Sequence, residues 1–336
     1  MRIVMVTSSF LPSTGGVETH VEAITKELLR RGHKVTVLVR HTERPARLHF
    51  GDATVYRLPA GRLSLWIWLC LHIPLLWRAE VIHSHDYFLF ELKRLFPKKR
   101  FVHTFHGYEG YPIKESAIVA RQAINQIVDA SVAAGGFIEK WYGTKCDLVT
   151  YGGIDPIKLK PVRLVWDVIY YGRLEPDTGI KEYLDAFRLV VNAKPEQRIL
   201  IVGTGSLGAA VDRLQSQHPD QIEVRPTLPH EQVLGLLNQS RIACVSGYLA
   251  ILEAAYMGKM IVANYNTPIK KDYLACHPLA QHMVIAETAA ELASGIDRLL
   301  STTPYKRSQT SPLRDWAQHQ TWSALTDQYL KLYQSH

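Results

Sequence analysis

The chain runs to 336 residues, more than one hydrophobic core usually organises, and its 47% hydrophobic and 21% charged content excludes a disordered or fibrous protein. Four cysteines, Cys70, Cys146, Cys244 and Cys276, stand too far apart for a zinc or disulfide framework, which fits a reducing compartment. A formal net charge of +8 suits an anionic partner, and no nucleic-acid-binding motif accompanies it, so a phosphorylated ligand or an acidic membrane face is expected rather than nucleic acid.

MRIVMVTSSF reads as a buried strand rather than a signal peptide, because its apolar run is short and no cleavage-site pattern follows. A Pro/Gly loop, FLPSTGG, leads into VETHVEAITKELLRRG, where Val17, Val21, Ile24 and Leu28 recur at helical spacing and Gly32 stops the helix. KVTVLVR, AEVIHSHD, RFVHTFHG, ASVAAG and CDLVTYGG supply further strands. The longest apolar run, SLWIWLCLHIPLLW (64–77), contains His72 and Pro74 and is too short to span a bilayer.

Near residue 165 the rhythm restarts. VWDVIYYGRL, RILIVGTG, IEVRPTL, RIACVSG, KMIVANY and HMVIAE read as strands, with helical periods between them and TAAELASGIDRLL after them. The expectation is an α/β protein of two doubly wound, Rossmann-like domains with mostly parallel sheets, hinged near 153–164, whose ligand sits at the carboxyl ends of strands in a cleft between the halves. TTPYKRSQTSP (302–312) reads as a polar linker and WSALTDQYLKLYQ as a helical tail.

Several residues stand out chemically. Gly15 and Gly16, between the first strand and helix, let backbone N–H groups approach a phosphate, or simply make a tight turn. GTGSLG, with Gly203 and Gly205, makes a second glycine-rich turn. Neither is GxGxxG, and the second strand ends in Arg40 and His41 rather than an acid, which argues against a nicotinamide dehydrogenase. His83, His85, His103 and His106 follow strands without the acid pattern of a metal site, so strand-end histidines with structural roles are the default. Arg173 precedes a helix start, which is electrostatically odd unless an anion intervenes or Glu175 or Asp177 pairs with it. Glu253 is the one acid within VSGYLAILEAAYMGKMIVA (245–263), and a carboxylate there needs hydrogen-bond donors or a lysine or arginine.

In order, GGVETHV, HSHD, HTFHG, YGGID, GRLxxxTGI, VGTG and LEAAYMGKMIVA resemble glycosyltransferase family 4, with the GT-B fold, over nearly the whole chain. The resemblance implies residues 1–155 as an acceptor-side domain joined by a returning helix, 318–336, and residues 162–312 as the nucleotide-sugar domain. It implies a retaining transferase that uses no metal or cofactor and takes a sugar from a nucleotide donor, UDP or GDP being expected. Glu253 would accept from the ribose hydroxyls, with Tyr248 and Leu249 beside it. Arg173, Gly15, Gly16, Gly203 and Gly205 would line the phosphates, and His106 would lie near the scissile bond, making His106 and Arg173 the catalytic pair.

The chain also departs from the pattern: Thr178 replaces a usual lysine, for which Arg163 or Lys181 are the substitutes to consider, Val245 an acid, and Tyr248 a small glycine. Those losses keep a non-catalytic nucleotide- or partner-binding descendant in view. The acceptor is expected to be a glycan or lipid-linked glycan. Trp66, Trp68 and Trp77 beside KRLFPKKR (93–100) point to docking on an anionic membrane, against the plainer reading of a helix that covers the sheet. Location is therefore expected to be cytoplasmic, peripheral on the inner face of the plasma membrane if docking holds.

Overall fold

The computed structural model describes residues 1–12, 15–40, 46–85, 89–157, 161–301 and 307–335. Asp86 of HSHD and Ser13 and Thr14 of the first loop lie outside them. Two compact units emerge, Met1–Gly153 with Trp322–His336, and Ile154–Thr321.

The first unit runs β1 (Arg2–Thr7), α1 (Gly16–Arg30), β2 (Lys34–Arg40), β3 (Ala46–Phe50), β4 (Ala53–Leu58), α2 (Arg62–Leu71), α3 (Ile73–Arg78), β5 (Val81–Ser84), α4 (Leu92–Leu95), β6 (Arg100–Phe105), α5 (Glu115–Ile127), β7 (Ala130–Ala134), α6 (Phe137–Tyr142) and β8 (Leu148–Thr150). Its eight-stranded sheet is ordered β3-β4-β2-β1-β5-β6-β7-β8. The valine- and isoleucine-rich central strands are buried on both faces, as parallel strands flanked by helices must be. Register sets Met5 beside His83 and Ser84 beside His103, so the strands deliver their histidines to one end of the sheet.

The sequence reading missed β3 and β4, an antiparallel hairpin turning at Gly51, whose φ is +55°. Three of the five β3 residues are exposed, so no apolar alternation marks it. The 64–77 run is two helices, parted at His72 with Pro74 in the first turn of α3. Leu69 and Leu76 point into the core, but Leu63, Trp66, Ile67, Leu71, Ile73 and Trp77 are exposed. Covering the sheet therefore does not account for this face. Trp68 differs from its neighbours: its ring stacks on His72 at 3.9 Å and meets Tyr56 edge-on.

The second unit runs β9 (Trp166–Tyr171), α7 (Ile180–Ala193), β10 (Ile199–Val202), α8 (Gly208–Gln217), β11 (Ile222–Arg225), α9 (His230–Asn238), β12 (Ser240–Cys244), α10 (Tyr248–Tyr256), β13 (Met260–Asn264), α11 (Pro268–Ala275), β14 (Val284–Ala286), α12 (Ala289–Ser301) and α13 (Arg307–His319). All six strands are parallel, ordered β11-β10-β9-β12-β13-β14. Helix α13 corrects the expected linker. From Arg307 the chain is helical, with Leu313 and Ala317 buried where α13 meets α10; residues 302–306 lie outside the description.

The last helix, α14 (Trp322–Gln334), belongs to the first unit and lies on α1 and β6. Trp322, Leu325, Tyr329 and Tyr333 recur at three- and four-residue spacing and are all buried. Two of these tyrosines reach the histidines at the sheet's carboxyl end.

Candidate active site

In the first unit, Tyr333 meets His83 Nδ1 at 2.7 Å, while His83 Nε2 lies 2.8 Å from Thr104 Oγ1. Tyr329 Oη lies 2.9 Å from His20 Nε2, and Ser84 Oγ 2.7 Å from His103 Nδ1. His85 Nδ1 and His106 Nε2 are 3.1 Å apart, and the buried Nε2 of His85 has no hydrogen-bond partner among the described residues. Burial holds all five imidazoles below the usual histidine range; for His106 the nearby Arg121 charge adds to it and the value falls to about 3. At neutral pH His106 is therefore an uncharged hydrogen-bonding group rather than a proton reservoir. His20, His85 and His106 bring ring nitrogens within 4.8 Å of one another, and neutral imidazoles are competent ligands, so this trio could gather a divalent ion. His20, on the buried face of α1, was not among the expected residues.

Arg121 of α5 fixes the turn that carries His106. It is 1% exposed, donates to the carbonyls of His106 and Gly107 at 3.3 and 3.0 Å, pairs with Glu109 at 2.8 Å and lies 3.8 Å above the Tyr142 ring. Gly15 is the residue before α1 and has extended backbone, φ −179°, so no left-handed turn explains it. A side chain there would run into the Glu18 carboxylate, which accepts from Ser9 Oγ at 2.7 Å; among the described residues nothing lies within 4 Å of Gly16 on its side-chain side.

In the second unit, Glu253 is 14% exposed and already partnered. His230 Nε2 lies 2.7 Å from one carboxylate oxygen, and the Tyr171 hydroxyl lies 3.1 Å from the other and 2.9 Å from the Ala250 carbonyl. The hydrogen bond to Glu253 raises the His230 pKa, with the Glu253, Asp155 and Glu231 charges adding to it and partial burial opposing. Among the described residues, neither expected cation, lysine nor arginine, pairs with Glu253. The His230 side chain is 66% exposed and free to swing away, whereas Tyr171 is fixed at the end of β9.

Arg173 pairs with Asp177 at 2.7 Å, both side chains being more than 60% exposed. Thr178 Oγ1 turns inward, donating toward the Glu175 carbonyl at 2.7 Å. Glu175 instead accepts from the Ser206 amide and hydroxyl, tying the glycine-rich turn to this loop. Gly203, with φ +154°, packs so tightly that a side chain would strike the Gly172 carbonyl, and one at Gly205 would strike that of Leu174. Those two glycines are accounted for by close backbone packing. At the start of α10, Val245 is buried, Leu249 is half-buried, and the Tyr248 amide donates to the Tyr273 hydroxyl at 2.9 Å. The Tyr248 and Tyr273 rings stack at 3.8 Å.

Two Rossmann-like units, each with its chemistry-bearing side chains after the strands, define a GT-B-type protein. Residues 14–151 match the model of Glycosyltransferase Family 4, and residues 163–312 that of Glycosyl transferases group 1. A phosphatidylinositol N-acetylglucosaminyltransferase component of Arabidopsis thaliana is 21% identical over 78% of this chain, and its Homo sapiens counterpart 24% identical over 78%. The chain spans 67% and 61% of those relatives' lengths. Anabaena HepE, solved with UDP-glucose, shares the fold at a TM-score of 0.73, with 15% identity over 98% of this chain and 99% of that one. The protein belongs to glycosyltransferase family 4 and is a glycosyltransferase.

Proposed function

We propose that the protein transfers a sugar, with retention and without a metal ion, from a UDP- or GDP-sugar to a glycan or lipid-linked glycan at an anionic membrane face. Glu253 carries the reading. One of its oxygens is held by the exposed His230 side chain, which can exchange for a ribose hydroxyl, while Tyr171 keeps the carboxylate in place. The UDP-glucose complex of HepE supports a nucleotide-sugar donor, and the phosphatidylinositol in the relatives' name supports a lipid-borne acceptor. His106, half-buried and uncharged, would orient the transferred sugar through a hydrogen bond, and Arg173, released from Asp177, would neutralise the departing phosphate. His106→Ala is expected to lower kcat about a hundredfold with KM changed less than threefold. A change confined to KM would make His106 a binding group only.

Membrane attachment falls to α2 and α3. Their exposed Trp66, Ile67, Leu71 and Trp77 share α2 and α3 with exposed Arg62 and Arg78, and Lys99 of the basic stretch donates to the Trp77 and Ala79 carbonyls, a pairing of apolar insertion with attraction to anionic lipid. Among the described residues no helix is long and apolar enough to cross a membrane. Trp66→Ala/Trp77→Ala should cut pelleting with phosphatidylserine vesicles at least about tenfold, and added salt should weaken wild-type pelleting. A folded double variant that pellets like wild type would rule this face out. Trp68 is left intact because it packs inward.

Two observations favour a second reading, a nucleotide-binding descendant without turnover: Tyr273 occupies the Tyr248 amide, and Thr178 presents no charge. Donor hydrolysis separates the two, since any nucleotide-dependent release of sugar supports the enzyme, and tight binding without release supports the descendant.

A further inference from the structure

Lys270, in the first turn of α11, is 9% exposed. Its ammonium donates to the Ser246 carbonyl at 2.5 Å and lies 4.1 Å from the Tyr273 ring centre. Among the described residues, no carboxylate comes within ion-pair distance of it. The charges felt at this position are those of Asp177, which attracts, and Arg173, which repels. Asp177 is already committed to Arg173 at 2.7 Å and so leaves Lys270 without an ion-pair partner of its own.

The surrounding loops are pinned together. Asn266 Nδ2 donates to the Pro176 carbonyl at 3.3 Å, joining the loop before α11 to the loop of Arg173 and Asp177. Ser246 Oγ accepts from the Asn264 amide at 3.0 Å and lies 3.0 Å from the Tyr183 hydroxyl, joining the ends of β12 and β13. Lys270 thus projects where the strands β9, β12 and β13 end, in the corner that also holds Arg173.

A carbonyl needs only a neutral donor, so Ser246 alone does not explain a desolvated ammonium, which costs several kcal/mol to bury unpaired. Lys259, the other buried lysine among the described residues, has a local reason: it donates at 2.7 Å to the carbonyl of Asn238, the last residue of α9, where a cation suits the helix end. Lys270 has no such helix end to serve. Burial lowers its pKa to about 8, with Asp177 opposing the drop and Arg173 deepening it, so at neutral pH the buried group is still largely an ammonium without an adjacent anion.

We propose that Lys270 is a diphosphate-binding residue, supplying with Arg173 the two positive charges that hold the phosphates of the nucleotide donor. The assignment rests on the donor reading above and names the group that takes its most charged part. Two cations match a diphosphate, and the Ser246 carbonyl and Tyr273 ring hold the ammonium until the ligand arrives.

The test is calorimetric titration with UDP and GDP, with inorganic pyrophosphate as competitor. Whichever nucleotide binds wild type should bind Lys270→Met at least about tenfold more weakly, while Lys270→Arg stays within about threefold. Pyrophosphate should compete on wild type and lose that competition in Lys270→Met. Lys270→Gln, whose amide can still donate to a carbonyl, replaces the Met variant if the latter does not fold. A folded neutral variant that binds within threefold of wild type overturns the lysine assignment and leaves the transferase reading standing. Wild type that binds neither nucleotide overturns the UDP- or GDP-donor reading and the lysine assignment with it.

Discussion

Glu253→Gln is expected to weaken nucleotide-sugar binding about 10- to 100-fold, because hydrogen bonds to a charged group are worth about 1.5–3 kcal/mol and an amide keeps only one accepting atom. The measurement is titration of UDP or GDP against wild type and variant, with melting temperatures as the folding control. Equal affinities would remove the carboxylate from the donor site. His230 gives the prediction a pH signature. Its folded pKa is raised, by the Glu253 hydrogen bond first and the charges of Glu253, Asp155 and Glu231 next. The His230–Glu253 pair therefore stabilises the fold fully below the unfolded value near 6.5, and the contribution disappears as pH rises through the higher folded value. Protonated His230 competes with ribose for one carboxylate oxygen, so nucleotide affinity should climb across that same window. His230→Ala should flatten the climb and bind more tightly at pH 6. A climb that survives in His230→Ala would assign the titration to another group.

How much of this was legible depends on whether a feature is local. The central strands announce themselves, since MRIVMV and RILIV have few alternatives to burial on both faces. The β3–β4 hairpin does not, because ARLHF is mostly exposed, although the Gly51–Asp52 pair between two short β-rich runs is a turn signal that could have found it. Glu253 was visible as an isolated acid among apolar residues, but its partners were not. His230 and Tyr171 come from other elements, 23 and 82 residues away, and only the strand order brings them together. Lys270 was hidden for the same reason: KKD in a short polar helix looks like solvated surface, and its first lysine is buried only because Tyr273 and the β12–α10 turn close over it. The tryptophan run is the converse. Its composition fits a core helix as well as a membrane face, and the break at His72 and Pro74 decides which side chains turn outward.

The second large effect concerns Arg121, a positioning residue that ties catalytic geometry to stability. Arg121→Met should destabilise the first unit by about 3 kcal/mol, the low end of the 3–5 kcal/mol typical for removing one partner of a buried pair. The low end applies because the Glu109 side chain is 38% exposed and water will rehydrate it, while the methionine refills part of the guanidinium's space above Tyr142. The other loss is the pair of carbonyls, His106 and Gly107, that lose their shared fixed donor at a turn where Gly107 has φ +48°. The turn should slacken and His106 should lose its fixed direction, lowering kcat about tenfold or more with KM nearly unchanged. Urea unfolding followed by far-ultraviolet circular dichroism gives the stability term, and steady-state kinetics gives the other. Arg121→Lys separates them: its ammonium can reach a carbonyl or Glu109 but cannot fork to both, so it should recover part of the stability and little of kcat. A loss under 1 kcal/mol in Arg121→Met with kcat intact would mean the His106 turn holds its shape without the guanidinium.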